Sequence, residues 1–201
     1  MLAPHPDGYL SILNIDGGQT EKPLVLSPAR INRSFPDIIA PMLLVGQTLW
    51  IASYSNGLLA VDIKSWQIKE RIDIMNIHQL AHKEDTIFAA NDKSLYAIKS
   101  GGQIVWQNNF FQLRTRVAAQ SSSFVGKNEI GKRVFLGLVS RLLIRDNEII
   151  MGTSLGAMGM FDLRNGSLIQ VVGNSLGFGP KISFGGNSVL ALTRRGSVVR
   201  F

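Results

Sequence analysis

The chain has 201 residues, of which 45% are apolar and 17% are charged, and its formal net charge is +7. This composition is typical of a folded globular protein and argues against intrinsic disorder. Because the sequence contains no cysteine, it excludes disulfides, thiolate metal ligands, a cysteine nucleophile and a lipid-bearing cysteine within this segment.

An imperfect repeat of short apolar strands and turns runs along the chain. Each copy predicts an apolar strand, a turn, a second apolar strand, a polar turn and a third strand. The first copy is represented only by its tail, DGYLSILNIDGG (7–18). The fuller copies are TLWIASYSNGLLAVDIKSWQIKERI (48–72), TIFAANDKSLYAIKSGGQIVW (86–106), EIIMGTSLGAMGMFDLRNGSLIQVV (148–172) and SVLALTRRGSVVRF (188–201).

The first turn of each copy marks the period of the repeat. It carries Gly57, Gly156 or Gly196, with Ser94 in their place once, and these positions are 37, 62 and 40 residues apart. A period near 40 with several strands per repeat predicts the blades of a β-propeller. Paired-helix repeats are disfavoured, because the segments are rich in β-branched and aromatic residues and lack a sustained helical periodicity. We predict an all-β fold, a propeller of four-stranded antiparallel blades with about four to five blades present. It forms a single domain, complete or partial, over residues 1–201.

Several residues of the repeat have a structural explanation that needs no ligand. The small side chains of Ala60 and Ala97 let neighbouring blades approach closely. Gly101 and Gly102 supply the positive φ that a tight hairpin requires. Trp106 is large enough to fill the gap to the next blade, and its burial is worth roughly 3 kcal/mol.

The second and third strands resemble the Ala-x-Asp-x-x-x-Gly-x-x-x-Trp motif of pyrroloquinoline-quinone-type propellers. The copies match the motif incompletely. Trp66 stands where glycine is expected, Glu70 where tryptophan is expected and Lys99 where aspartate is expected. By itself the motif implies a fold and says little about function. The residues that match it are Ala60, Asp62, Ala97, Gly102, Trp106, Asp162 and Gly166.

A narrower resemblance extends from about Asp7 to Phe201 and is strongest over residues 30–106. YSNGLLAVD (54–62), GGQIVW (101–106) and the closing GSVVRF make this chain similar to the C-terminal half of the BamB family of outer-membrane assembly lipoproteins. The family's front blades and its lipid-bearing cysteine have no counterpart in this sequence. No export signal is visible in MLAPHPDGYL, and no apolar run approaches the roughly 18 residues that span a bilayer.

This resemblance implies a non-enzymatic accessory protein with no cofactor, on the periplasmic side of the outer membrane. Its implied partners are the POTRA domains of BamA and unfolded outer-membrane proteins, and its membrane association would use a lipid anchor outside this segment. The family's acidic docking pair is reduced here to Asp37, within FPDIIAP. Arg33 and Asp37 are therefore the candidate partner-binding residues. Because the family closes eight blades, residues missing from this sequence or another chain would complete the ring, unless a smaller ring closes.

The segment 107–134 includes a basic inserted loop that departs from the family pattern. Between Arg114 and Arg145 there are seven basic residues against Glu129 alone, a net charge of +6. The loop is either an exposed, solvated connection or a contact surface for an acidic partner or anionic head groups. Nucleic acid is disfavoured, because Phe124 is the only aromatic residue among the basic residues from Arg114 to Arg133. The candidate contact residues in this loop are Arg114, Arg116, Lys127, Lys132 and Arg133.

Two other functions stay open as alternatives. One is a generic protein-interaction propeller, and the other, less favoured, is a degenerate propeller of the quinone-dependent dehydrogenase type. No catalytic residue is predicted. The spacing of His78 and His82 would suit a metal site on a helix, but it has no such meaning on a strand, and no metal site is predicted.

Overall fold

The computed structural model describes strands and turns in ten stretches of the chain. These are residues 2–5, 9–13, 23–26, 38, 40–54, 56–110, 138–154, 157–173, 178–186 and 188–200. Within them, the strands form five antiparallel sheets, each of which follows chain order from one edge to the other. The predicted all-β class is confirmed. Among these residues no helix combines the length and the apolar character that crossing a membrane would require.

The described contacts group into two compact units, Met1–Leu80 and Ala81–Phe201. The first unit holds two sheets. The first sheet contains β1 (Leu2–Pro4), β2 (Tyr9–Ile12) and β3 (Leu24–Val25). The second sheet contains β4 (Leu43–Val45), β5 (Thr48–Ser53), β6 (Gly57–Asp62) and β7 (Gln67–Ile72).

The second unit holds the other three sheets, apart from the first two residues of the third. The third contains β8 (Gln79–Lys83), β9 (Thr86–Ala90), β10 (Ser94–Lys99) and β11 (Ile104–Asn109). The fourth contains β12 (Val139–Arg145), β13 (Glu148–Thr153), β14 (Ala157–Asp162) and β15 (Leu168–Gly173). The fifth contains β16 (Phe178–Gly185), β17 (Ser188–Thr193) and β18 (Val198–Arg200).

The second strand of each four-stranded sheet is buried on both faces. In β5, β9 and β13 every residue after the first is buried. A strand covered on both faces must be apolar at successive positions, which explains runs such as TLWIA and EIIM. The last strand of the second sheet, β7, instead alternates between exposed and partly buried residues.

In the second unit, β13 contributes alternate side chains to two hydrophobic cores. Ile149 and Met151 pack with Phe88 and Leu95 of the third sheet. Ile150, on the opposite face, packs with Phe178 of the fifth sheet. The third, fourth and fifth sheets are therefore stacked face to face, as propeller blades are. In the first unit, the corresponding core joins the first and second sheets and consists of Leu10, Leu26, Leu49, Ile51, Leu59 and Val61.

The turn between the first two strands has the same backbone form in four sheets. Its first residue has a left-handed φ in each case: Gly46 (58°), Glu84 (54°), Asp146 (49°) and Gly186 (59°). The carbonyl oxygen of the next residue then accepts a hydrogen bond from the turn that follows the third strand. The three such pairs are Ile63 N to Gln47 O, Ser100 N to Asp85 O, and Leu163 N to Asn147 O. The repeat is thus present in hydrogen bonding as well as in sequence.

Candidate interaction surface

The predicted partner-contact residues lie outside the part of the chain that the structure describes. This holds for Arg33 and Asp37 and for the basic residues Arg114, Arg116, Lys127, Lys132 and Arg133. Of the segment 107–134, only residues 107–110 are described, and the first three of them complete β11. These assignments stay predictions.

The motif aspartate of the second sheet, Asp62, holds a turn together. It ends β6, and its Oδ1 accepts hydrogen bonds from the main-chain nitrogens of Lys64 (3.0 Å) and Ser65 (2.8 Å). Its Oδ2 lies 2.6 Å from Nζ of Lys69. The hydrogen bond from Lys69, followed by that from the Ser65 main chain, holds the pKa of this carboxyl well below its usual range. Asp62 is thus ionised at neutral pH and already occupied by partners.

The corresponding aspartate of the fourth sheet, Asp162, does the same with its own turn. Its Oδ1 accepts hydrogen bonds from the main-chain nitrogens of Arg164 (2.8 Å) and Asn165 (3.3 Å). Aspartate favours turns because its short carboxylate reaches the backbone two and three residues ahead. The motif aspartates are therefore turn formers. Within the described residues, His, Asp and Glu side chains form no group of three that could hold a metal ion.

The last residue of this turn has a left-handed backbone conformation in three sheets. Gly102 has φ 81° and Gly166 has φ 70°, whereas the positive φ predicted for Gly101 is wrong. Trp66 occupies the same position in the second sheet and has φ 54°. A left-handed φ costs an L-residue roughly 1–2 kcal/mol. The turn is thus kept although its glycine is missing, and the indole packs against the core of the first unit.

The motif tryptophan, Trp106, joins the third sheet to the fourth. Its Nε1 donates a hydrogen bond to the carbonyl oxygen of Leu163 (3.3 Å). Its ring covers Gly166, and the side chain of Asn108 donates to the carbonyl oxygen of that glycine. Phe88 lies beside it, with 6.0 Å between the ring centroids. The motif tryptophan and the motif glycine therefore form one contact between neighbouring sheets.

The motif alanines face large side chains on the strands beside them. Ala97 pairs across the sheet with Phe88 on one side and Trp106 on the other. Ala60 pairs with Trp50 and Glu70. Both alanines are buried. A small residue in this position leaves room for the aromatic side chain of the neighbouring strand.

A groove on the fourth and fifth sheets was not predicted from the sequence. It has a volume of about 700 Å³ and lies largely on the fifth sheet. Two cationic side chains, Arg141 of β12 and Lys181 of β16, stand beside a mainly aliphatic lining. The other lining residues are Ile182, Ser183, Leu190, Ala191, Leu192 and Val198.

All charged side chains in the C-terminal part of the chain, which forms most of this groove, are basic. From Leu163 to Phe201 the chain contains no aspartate or glutamate. Its five basic residues in that range are Arg164, Lys181, Arg194, Arg195 and Arg200. This absence of carboxylates was visible in the sequence and is the signal that could have located the surface.

Within each unit the antiparallel sheets are stacked face to face, and four of the five sheets share the same first turn, which defines the fold as a β-propeller of the blade type predicted above. Solved structures support this class. BamB from Moraxella catarrhalis matches with a TM-score of 0.69 and 16% sequence identity, over 99% of this chain and 53% of that one. The likeness is one of fold, and the chain spans about half the length of that protein.

Two computationally designed proteins are similar to a comparable degree. Ika8 matches with a TM-score of 0.70 and 16% identity, over 100% of this chain and 54% of Ika8. Ika4 matches with a TM-score of 0.61 and 15% identity, over 82% of this chain and 89% of Ika4. No protein-family model and no curated protein matches the sequence.

Proposed function

We propose that the protein is a non-enzymatic β-propeller scaffold that binds other polypeptides and assists the assembly of outer-membrane proteins, as BamB does. The observation that carries this proposal is the structural likeness to BamB over 99% of the chain. The sequence motifs shared with that family, including YSNGLLAVD and GGQIVW, point the same way.

The partners in this proposal are POTRA domains of the BamA type and unfolded outer-membrane proteins. The protein would work on the periplasmic side of the outer membrane, held there by a lipid anchor outside this sequence. Residues missing from the sequence, or another chain, would complete the ring of blades. The motif residues support this role indirectly, because Asp62 and Asp162 use their hydrogen bonds to hold the turns of the blades.

Capture of purified POTRA domains by the immobilised protein tests the proposal. We expect the wild type to retain them, and Asp37→Arg to retain several-fold less, because reversing a contact charge replaces attraction by repulsion. Asp92→Arg, which makes the same charge change at an exposed turn between β9 and β10, is the matched control and should bind like the wild type. A variant that lacks residues 120–133 tests the basic loop in the same assay.

The outcomes test the proposed role and the proposed contact residues separately. If the wild type does not retain POTRA domains, the BamB-like role is wrong. If all variants retain them equally, the role stands and the contact residues are wrong.

A generic protein-interaction propeller is the second candidate, and one observation favours it. The stretch that matches the family's acidic docking pair has Pro36 and Ile38 at the two acidic positions, with only Asp37 between them. Capture from a membrane extract, followed by identification of the retained proteins, distinguishes the two. A defined partner unrelated to barrel assembly, in the absence of POTRA binding, would favour this second candidate.

A further inference from the structure

Two polar atoms of the second sheet are buried without a hydrogen-bond partner among the described residues. They are Nε1 of Trp50, in β5, and Oε2 of Glu70, in β7. Trp50 has an exposed fraction of 0%. Buried polar atoms are almost always paired, so each of these two requires an explanation. Because one atom is a hydrogen-bond donor and the other an acceptor, a single partner could satisfy both.

The register of the strands places the two side chains on one face of the sheet, on either side of Ala60. Trp50 pairs with Ala60, and Ala60 pairs with Glu70. This face is opposite to the one that bears Leu49 and Ile51 of the first unit's core. Residues that pair directly have Cβ atoms about 5 Å apart, so the Cβ atoms of Trp50 and Glu70 are roughly 10 Å apart. The methyl group of Ala60 leaves the space between them open.

The third sheet shows that side chains at these two positions meet above the alanine. There Phe88 and Trp106 flank Ala97 in the same register, and the centroids of their rings are 6.0 Å apart. Both sheets also have their register shift directly after the alanine. The second sheet therefore carries its tryptophan on its second strand instead of its last, and a carboxylate occupies the place of the motif indole.

The fourth sheet provides a contrast, because its middle residue is large. The residues that correspond to Trp50, Ala60 and Glu70 are Ile150, Met160 and Gln170. Gln170 is exposed, so its amide is open to solvent. In the second sheet, the small alanine leaves space into which the carboxylate turns, and one of its oxygens is buried.

We propose that Trp50 and Glu70 hold one water molecule above Ala60. The water accepts a hydrogen bond from Nε1 of Trp50 and donates one to Oε2 of Glu70. Buried waters in proteins bind about two to four polar groups that otherwise lack partners. The inference concerns the blade itself, and it goes beyond the proposed function because it does not depend on whether the protein binds POTRA domains.

A metal ion and a larger ligand are poorer occupants of this site. An indole N–H is a donor only, so it would stay unpaired beside a cation. The complete burial of Trp50 leaves its N–H out of reach of a ligand approaching from solvent. A direct hydrogen bond from Nε1 to Oε2 is the remaining way to pair the two atoms, and it is an alternative outcome of the test.

Nuclear magnetic resonance of the ¹⁵N-labelled protein tests the proposal through magnetisation transfer from water to the indole N–H groups. The chain has three tryptophans, and Trp50→Phe identifies the signal of Trp50. We expect through-space transfer from a long-lived water to this N–H, with the sign that distinguishes it from proton exchange. Nε1 of Trp106 donates to the carbonyl oxygen of Leu163, so it is the internal control and should show none. A high-resolution crystal structure should place the water about 3 Å from both atoms.

Substitutions of Glu70 locate the acceptor. Glu70→Leu should abolish the transfer to Trp50, whereas Glu70→Gln keeps an oxygen acceptor and should retain it. In urea unfolding, Trp50→Phe and Glu70→Leu each leave the other group with one partner fewer. The unfolding equilibrium constant of the double variant should therefore be about tenfold smaller than the two single effects predict. Trp50→Phe combined with Lys64→Gln, at an exposed turn of the same sheet, is the additive control.

Each contrary result overturns the proposal. These results are no transfer to Trp50 in the wild type, transfer that persists in folded Glu70→Leu, additive effects of Trp50→Phe and Glu70→Leu, or a crystal structure in which Nε1 bonds directly to Oε2. Circular dichroism that matches the wild type establishes that each variant is folded. The wild-type spectrum and crystal structure need no variant, so they decide the question even if Glu70→Leu does not fold.

Discussion

The ring of Trp106 lies so close over Gly166 that a side chain there would collide with it. A Cβ atom placed on Gly166 would be 2.6 Å from both Cε3 and Cζ3 of the indole. The same glycine has φ 70°. Two separate physical demands therefore require glycine at this position: a left-handed backbone and a flat surface for the tryptophan of the neighbouring sheet.

Three glycine-to-alanine variants separate these demands. Gly101 has an ordinary φ and open space around it, Gly196 has φ 84° and open space, and Gly166 has both constraints. We expect Gly101→Ala to be within about 0.5 kcal/mol of the wild type. Gly196→Ala should lower the free energy of unfolding by about 1–2 kcal/mol. Gly166→Ala should lower it by a further 1–3 kcal/mol or so. Urea unfolding measures all three.

The contribution of Trp106 is tested by repeating Gly166→Ala in a Trp106→Ala background. Without the indole, the collision is gone and only the backbone cost of the alanine is left. The loss caused by Gly166→Ala should then fall to that of Gly196→Ala. An unchanged loss would show that the contact with Trp106 does not constrain the glycine.

The left-handed φ of Trp66 predicts that a glycine variant is more stable than an alanine variant at this position. Both Trp66→Ala and Trp66→Gly lose the packing of the indole, but only glycine accepts φ 54° without strain. Trp66→Gly should therefore be more stable than Trp66→Ala by about 1 kcal/mol, although alanine is usually the more stable of the two. Thermal and urea unfolding of the two variants give the comparison. If Trp66→Ala is the more stable variant, the backbone at position 66 does not keep its left-handed φ in these variants.

The sequence allowed the strands and turns to be predicted because they repeat. It also identified Trp66 as the residue that replaces the expected glycine. It did not indicate whether the turn would change to suit the tryptophan, since strain of 1–2 kcal/mol or so is easily outweighed by burial of an indole. The groove was not predicted from the sequence, for a different reason. Arg141 and Lys181 are far apart in sequence and come together because β12 lies beside β16.

Asp62 makes the stability of the second sheet depend on pH. Its pKa is lowered in the folded protein, so folding favours the ionised form. Its contribution is therefore complete above the ordinary aspartate pKa of about 4 and declines as the pH falls below that value. Asp62→Asn should be less stable than the wild type near pH 7, and this difference should begin to shrink below about pH 4 and go on shrinking as the pH falls towards the lowered pKa.

The lysine partner provides the control for this pH dependence. Lys69→Gln removes the strongest cause of the lowered pKa. In the Lys69→Gln background, the loss of stability that Asp62→Asn causes near pH 7, measured by urea unfolding, should therefore shrink. An effect of Asp62→Asn that is independent both of pH and of Lys69 would show that the carboxylate acts only as a turn acceptor.

Glu84 and Asp146 identify two positions at which glycine should stabilise the protein. They have φ 54° and 49°, while Gly46 and Gly186 occupy the same turn position in other sheets. We expect Glu84→Gly to gain about 1 kcal/mol. Asp146→Gly should gain less, because aspartate tolerates this conformation better, and its carbonyl bond from Lys83 is kept. Asp92→Gly, at an exposed residue without a left-handed φ, should instead lose several tenths of a kcal/mol or so. Chemical denaturation of the three variants tests the order. Destabilisation by both Glu84→Gly and Asp146→Gly would mean that the side chains contribute more than the backbone strain costs.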